Sequence, residues 1–545
     1  MMEDTGSAVR GAEMSIERNL CEMELSREAY WLRYPGTSPF KLRRRALTVR
    51  HCLHVLPGET ILEVGAGSGL WTENLTTVLR GENPITAAVF NKELAAAASA
   101  KRLANTRFVH VTDLADLPPA AFDYVIGTVI LCHNLYPQTL AALYRLLKPG
   151  GQLLFFEANY WNPQVLLKNL IRPVGRWCGD ARCHVGMRKY GLMKRASHQG
   201  FTNIEIIPYD IIHARLPRPL LASAQSASFI LEQTPVVRDF CGTLYLWLTK
   251  PGEQAAGRRR IKLASHGQLY GSTSVVVPCY NEEKNIRPLV ESLVQMYDEY
   301  LHEIIIVNDN STDRTAEVVR ALATSEPRIR LINRTPPGGV GRALKDGYAA
   351  ATGRYTLSMD CDFVQILPEF RDLFDVVAAG RDGAIGSRFS LDSVLINYPF
   401  SKVLCNRCVH ALIRLFLPVR VRDITNNLKL YRTDILRRLE ITEHHFAANM
   451  ETGLKPMLSG YDIQEVPISW INRTAQMGNS SFKLLHVGMG YLRALSRTIW
   501  SFRRGRRTFI NEGSASGGPA RFGAELQVNP VDERPERLKP RATIR

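Results

Sequence analysis

Asp360 and Asp362 stand one residue apart in YTLSMDCD, directly after the apolar Met359. Two carboxylates at that spacing on a strand end can reach one divalent cation, and hard oxygen ligands suit Mg²⁺ or Mn²⁺ bridging a diphosphate. Two more polar runs follow β-rich stretches: Pro278, Tyr280, Asn281 and Glu282 after STSVVV, and Asn308, Asp309, Asn310, Ser311 and Asp313 after HEIIIV. As successive strand ends of an open α/β sheet, all three open on one edge, where such sheets bind ligands. An acidic surface turn accounts for either aspartate alone, but poorly for three polar strand ends in register.

A second constellation lies in the first half. Glu63, Gly65, Gly67 and Gly69 in ILEVGAGSGLWT follow an apolar strand and precede a helix, and glycines there let backbone approach a ligand without a Cβ in the way. A dinucleotide fingerprint would need its third glycine at Leu70, and no Gly-Lys-Ser/Thr marks a P-loop.

The elements that must hold these residues follow one rhythm. ETILEV, ITAAVF, RFVHV, FDYVIG and GQLLFFEAN alternate with helical patterns, then IEIIPYDII and GTLYLWLTK flank a strand-poor segment, 214–240, expected to be a helical cap. The rhythm restarts with STSVVVPCY, HEIIIVND, RIRLINR, RYTLSMD and GAIGSRF. The expected organisation is α/β with two domains: a helical leader over 1–43, a first sheet domain over 44–251, a basic linker over 252–270, a second sheet domain over 271–507 ending in an amphipathic helix, and a disordered tail over 508–545.

The first unit resembles the class I S-adenosylmethionine-dependent methyltransferases, on the glycine loop, Asp113 after the third strand, Phe122-Asp123 opening the fourth, and the turn LLKPGGQLLFFE. The resemblance implies a Rossmann-like sheet and S-adenosylmethionine held by Glu63, Gly65, Gly67, Gly69 and Asp113, with an acidic residue ending the second strand on the ribose. This chain has Val89 there, with Asn91 and Glu93 nearby. A hydroxyl methyl acceptor would need a base, for which His133, Tyr160 and His184 are candidates.

The second unit resembles family 2 glycosyltransferases of the GT-A fold, and most closely the polyprenyl-phosphate (dolichyl-phosphate mannose synthase-like) branch. In that family Pro278, Tyr280, Asn281, Glu282 and Asp309 would hold the nucleoside of a nucleotide-sugar donor, and Asp360 and Asp362 the metal and donor phosphates. Gly339-x-Gly341-Arg342-Ala343, Gly386-Ser387-Arg388, VRDITNNLKLYR and GYDIQEVPISWINR extend the match. Val364 stands where a third metal ligand would fall, and Asn426-Asn427 replace the usual small pair. A lipid phosphate acceptor arrives ionised and needs cations rather than a base, for which Arg388, Arg432 and Arg473 are candidates. A sugar or lipid hydroxyl would need a carboxylate, and Glu451 is the candidate, unless it fixes its helix against Lys455. The expected function is sugar transfer plus methylation, with Asp362, Arg388, Glu451 and Arg473 catalytic. The alternative is transfer to a hydroxyl beside a non-catalytic methyltransferase-like scaffold.

At 545 residues, 45% hydrophobic and 22% charged, the chain is globular and too long for one core. Its 69 Lys and Arg against 52 Asp and Glu give a net charge of +17, which suits an anionic partner. No nucleic-acid recognition motif accompanies that charge, so no nucleic acid is expected. Helical stretches over 403–422 and 484–507 mix apolar residues with arginines as interfacial helices do. With no signal peptide or spanning run, the expectation is a cytoplasmic protein, peripheral at the inner face of an anionic membrane. The ten cysteines read as buried hydrophobes, and the Cys405/Cys408 pair as i, i+3 packing.

Overall fold

The computed structural model describes residues 20–131, 136–170, 186–252, 262–396, 398–471, 484–506 and 508–511. The first sheet is built from β1 (Ile61–Val64), β2 (Ile85–Val89), β3 (Thr106–His110), β4 (Phe122–Thr128), β5 (Leu147–Ala158), β6 (Thr202–Tyr209) and β7 (Thr243–Thr249), ordered β3-β2-β1-β4-β5-β7-β6. The first five are mutually parallel and β7 is antiparallel to both its neighbours. Parallel strands are covered on both faces, so they need continuous apolar runs rather than alternation, and β1 is buried at all four positions.

The second sheet comprises β8 (Thr273–Cys279), β9 (Leu301–Asn308), β10 (Ile329–Asn333), β11 (Tyr355–Ser358), β12 (Gly383–Ser387), β14 (Lys429–Arg432) and β15 (Ile463–Pro467), ordered β10-β9-β8-β11-β14-β12-β15. Strands β13 (Leu395–Ile396) and β16 (Trp470–Ile471) pair separately. Strand order reverses beside β1 in one sheet and beside β8 in the other, so each sheet has a crevice at the carboxyl end of its first strand. Both polar constellations lie there.

Three domain boundaries differ from expectation. The helix Ser38–Leu53 runs through position 43, and its Leu42, Ala46 and Leu53 share a core with Ile61 of β1. The linker is shorter than 252–270, because Leu263 and Leu269 join the second core and the Leu263 N–H donates to the Met296 carbonyl at 2.7 Å. The chain also stays packed past 507: Phe509 is buried and Ile510 bridges Leu439.

The two units dock closely. Leu56, just before β1, enters the second unit's core, while Val394 and Ile396 enter the first's. Around them Arg371 pairs with Glu82 at 2.6 Å and Arg50 with Asp372 at 2.8 Å. His51 lies 2.9 Å from Glu369, and both are buried. Burial opposes ionisation of Glu369, yet His51, His54 and Ser469 hold its pKa at about 2. The expected cap over 214–240 contains the helix Leu221–Leu231, whose Gln225 and Phe229 reach the Leu391 carbonyl and the Phe389 ring of the second unit.

Candidate active sites

In the first unit β1 delivers Glu63 and the turn that follows. Gly65, Gly67 and Gly69 have φ of 69°, 58° and 77°, and Gly69 starts the helix Leu70–Val78. Burial pushes Glu63 up to about 7, against the pull of Thr72 and Arg27. Asp113 spends its carboxylate as the cap of the turn Leu114–Asp116, accepting from the Ala115 N–H at 2.9 Å. Val89 ends β2, and Asn91 caps the next helix by accepting from the Leu94 N–H.

The carboxylate beside β2 comes from elsewhere in the chain. A helix over 20–33 lays Glu24, Arg27 and Glu28 against the loop. Glu24 accepts the N–H groups of Gly67 at 3.0 Å, Phe90 at 3.0 Å and Asn91 at 2.8 Å. Arg27 donates to the carbonyls of Gly65 and Thr128, and Glu28 accepts from the Ser68 hydroxyl. A Cβ added at Gly67 would lie 2.5 Å from a Glu28 carboxylate oxygen. In this conformation, then, the cradle is filled by the chain's own side chains and does not fit a cofactor.

Sequence reasoning missed these three residues because nothing local in a leader helix marks what it will cover. It also missed Glu157 as a cradle residue. Glu157 is fully buried at the end of β5, accepts the N–H groups of Ile130 and Leu131 at 2.9 Å each, and is pushed by burial up to about 7. His133 and His184 lie outside the described residues. Tyr160 packs under the Arg188 guanidinium.

In the second unit the expected residues converge. Pro278 lies in β8, and Tyr280, Asn281 and Glu282 follow it, with Tyr280 54% exposed. Asn281 has φ 56° and accepts the Thr312 N–H at 2.8 Å, tying the loop after β8 to the loop after β9. Asp309 accepts from the Gly339 N–H at 2.6 Å and from Arg334. A side chain at Gly339 or Gly341 would collide with the carbonyls of His444 or Glu443, which explains both glycines as close approaches of backbone.

Asp360 and Asp362 follow β11. Burial first, and the Asp362 charge next, push Asp360 up to about 6, while Asn427 donates to it at 2.8 Å. Among the described residues no three His, Cys, Asp or Glu side chains form a preformed metal cage. Two neighbouring carboxylates still fit a hard cation that completes its shell with substrate phosphates and water.

Strand register sorts the cations. Arg388 follows β12, which runs parallel to β11, so it stands at the Asp360 edge. Its guanidinium is held by Asp423 at 2.7 Å, by Thr425 at 2.9 Å and by Tyr398 at 3.1 Å. Against burial, Asp423 keeps Arg388 charged, and Arg388 in turn holds Asp423 well below the usual carboxylate range. Arg432 pairs with Tyr355 at the start of β11, on the opposite edge, and is engaged by Asp434 and Asp382. It is therefore not a donor-site cation. Lys429, missed in the sequence, is paired with Ser358 at the correct edge. It is buried, and burial draws it down to about 7 against Asp423 and Asp360.

Glu451 is also a correction. It is buried, and both its oxygens are used, by the N–H groups of Thr442 and Glu443 at 2.8 Å each, the Thr442 hydroxyl at 2.6 Å and Lys455 at 2.6 Å. It anchors the 442–445 loop that packs on Gly339 and Gly341. Arg473 lies outside the described residues. Cys405 and Cys408 are exposed on the helix Phe400–Phe416, so core packing does not explain them.

Comparison with known proteins finds matches in both units. Residues 61–151 match the family model described as methyltransferase domain, and residues 274–440 match glycosyl transferase family 2. The chain is 29% identical over 208 residues to the polyprenol monophosphomannose synthase of Mycolicibacterium smegmatis, covering 37% of this chain and 78% of the relative. It is 29% identical over 200 residues to the dolichol-phosphate mannosyltransferase of Pyrococcus furiosus, covering 36% of this chain and 56% of that relative. Among solved structures, glucosyl-3-phosphoglycerate synthase from Mycobacterium tuberculosis aligns at 19% identity and TM-score 0.35, over 46% of this chain and 86% of that one. Phosphoethanolamine N-methyltransferase 2 of Haemonchus contortus aligns at 15% identity and TM-score 0.29, over 40% and 57%. One chain thus carries a segment that matches a methyltransferase domain ahead of a segment that matches glycosyl transferase family 2.

Proposed function

We propose that the second unit transfers a sugar from a nucleotide-sugar donor to a polyprenyl phosphate at a membrane surface. The observation that carries this is the Asp360 edge itself: paired carboxylates for a Mg²⁺ or Mn²⁺ that neutralises the departing diphosphate, with Arg388 and Lys429 beside them. Asn281, Glu282 and Asp309 would seat the nucleoside. The cations would align two anionic partners in line, which is most of what such a displacement needs. Engagement of both Glu451 oxygens supports an acceptor that arrives ionised over one needing a base. The mannose-transferring relatives support a lipid-linked acceptor.

Membrane contact is supported by the packed helices Phe400–Phe416 and Leu484–Arg503, which expose Leu404, Leu412, Leu415, Met489, Leu492 and Trp500. Arginines flank them, with Arg504 stacked 3.6 Å over Trp500. No helix among the described residues is long and apolar enough to cross a membrane. For the first unit the reading is S-adenosylmethionine binding at the 63–69 turn, supported by its three left-handed glycines and the family match.

The test is purified enzyme with nucleotide-sugars, polyprenyl phosphate and free polyprenol in vesicles of anionic lipid. Transfer to the phosphate and not to the alcohol is expected. Preferred transfer to a hydroxyl would replace this reading with the alternative acceptor.

A further inference from the structure

Glu24, Arg27 and Glu28 are spaced i, i+3 and i+4, so they share one face of the 20–33 helix, and that face meets the glycine turn. Backbone N–H groups at such a turn and at the following strand end are donors that a nucleotide-like ligand would use. Here they are taken. Glu24 is fully buried and accepts three of them, from Gly67, Phe90 and Asn91. Glu28 approaches the Ser68 N–H at 3.4 Å, and Arg27 takes the carbonyls of Gly65 and Thr128. Beneath them Leu20 and Met23 join the core with Val64, Ala88 and Phe90, so the helix is seated by apolar contact as well as by charge.

We propose that the leader helix is an intramolecular occupant of the cofactor cradle, and that S-adenosylmethionine binds only when the helix leaves. The inference rests on the reading that the 63–69 turn binds this cofactor. Glu24 could instead stand in for the carboxylate that Val89 lacks and hold the ribose. Its oxygens, however, already serve three amides, and Arg27 and Glu28 fill the same concavity, which favours displacement over co-binding. The apparent affinity of the whole chain is then reduced by the fraction of molecules whose leader is undocked.

Calorimetry of S-adenosylhomocysteine binding to the full chain tests this with the E24Q/E28Q double variant and with Met23→Ser, which loosens the helix without touching the turn. Both should bind about tenfold or more tightly than the unaltered chain, since removing that population cost raises apparent affinity directly. Hydrogen exchange over 20–33 in the unaltered chain should speed up on saturation with the same ligand. Weaker binding by E24Q/E28Q with slower exchange in the leader would overturn the proposal and make Glu24 a cofactor ligand. Equal affinities would overturn it while leaving the cofactor reading intact. No binding by any of the proteins at millimolar ligand would overturn the cofactor reading and the proposal with it.

Discussion

The turn after β1 and the edge after β11 both lie at carboxyl ends of strands that flank the point where strand order reverses in their sheets, yet leader side chains fill one and not the other. At the first, Glu24 and Glu28 take backbone N–H groups of the glycine turn and Arg27 takes the Gly65 carbonyl. At the second, Tyr280 is exposed just after β8, the parallel neighbour of β11. A glycine-rich turn thus marks where a ligand can approach backbone, without saying whether that ligand or a distant piece of chain lies there. The second edge is defined instead by charge held at fixed positions.

The strongest way to break this comparison is at the contact joining the units. Glu369→Gln should cost about 3–5 kcal/mol, since it leaves His51 buried without its anion. Because the folded pKa of Glu369 is depressed from 4.5 to about 2, its contribution is full above pH 4.5 and is lost as pH falls through about 2. Thermal unfolding of the variant should therefore depend less on pH between those values than that of the unaltered chain. If S-adenosylhomocysteine affinity moved with it, the two edges would not be independent.

Asp362→Asn should lower sugar transfer by about two to three orders of magnitude, while the melting temperature and the first unit's ligand binding stay unchanged. Glu451→Gln should act on the fold, costing about 1–3 kcal/mol because buried N–H groups lose a charged acceptor. Activity of the folded fraction should persist, measured as turnover corrected for folded protein. Arg432→Ala should have the smallest effect, within about 1 kcal/mol of stability, since its ion pairs are partly exposed. Its turnover should match the unaltered enzyme, and a large loss would contradict the strand register that puts Arg432 on the far edge.

Both sheets were legible in the sequence because continuous apolar runs bounded by polar turns leave little choice of element. The Asp360 edge was legible for a related reason: strand ends in a parallel sheet bring together residues that the chain presents at regular intervals. What could not be read depended on antiparallel pairing or on long-range docking. The VRDITNNLKLYR run carries three cations, Arg422, Lys429 and Arg432, and only the pairing of β14 with β11 separates Lys429 from Arg432. Glu451 looked equally able to serve as base or anchor until Thr442 and Glu443 were seen to use its oxygens. Leader residues 24, 27 and 28 gave no local sign of their destination, and neither did the interface carboxylate Glu369.

The docking of Leu56, His51 and Arg50 against the stretch that leaves Asp362 has a further consequence for how the fused gene can change. The first unit acts as a splint for the segment that ends in Glu369, so deleting it would strip a wall from its neighbour and expose apolar and charged groups together. Loss of ligand binding at the 63–69 turn alone would leave that wall standing. A lineage could therefore lose whatever the first unit binds and still be unable to drop the domain.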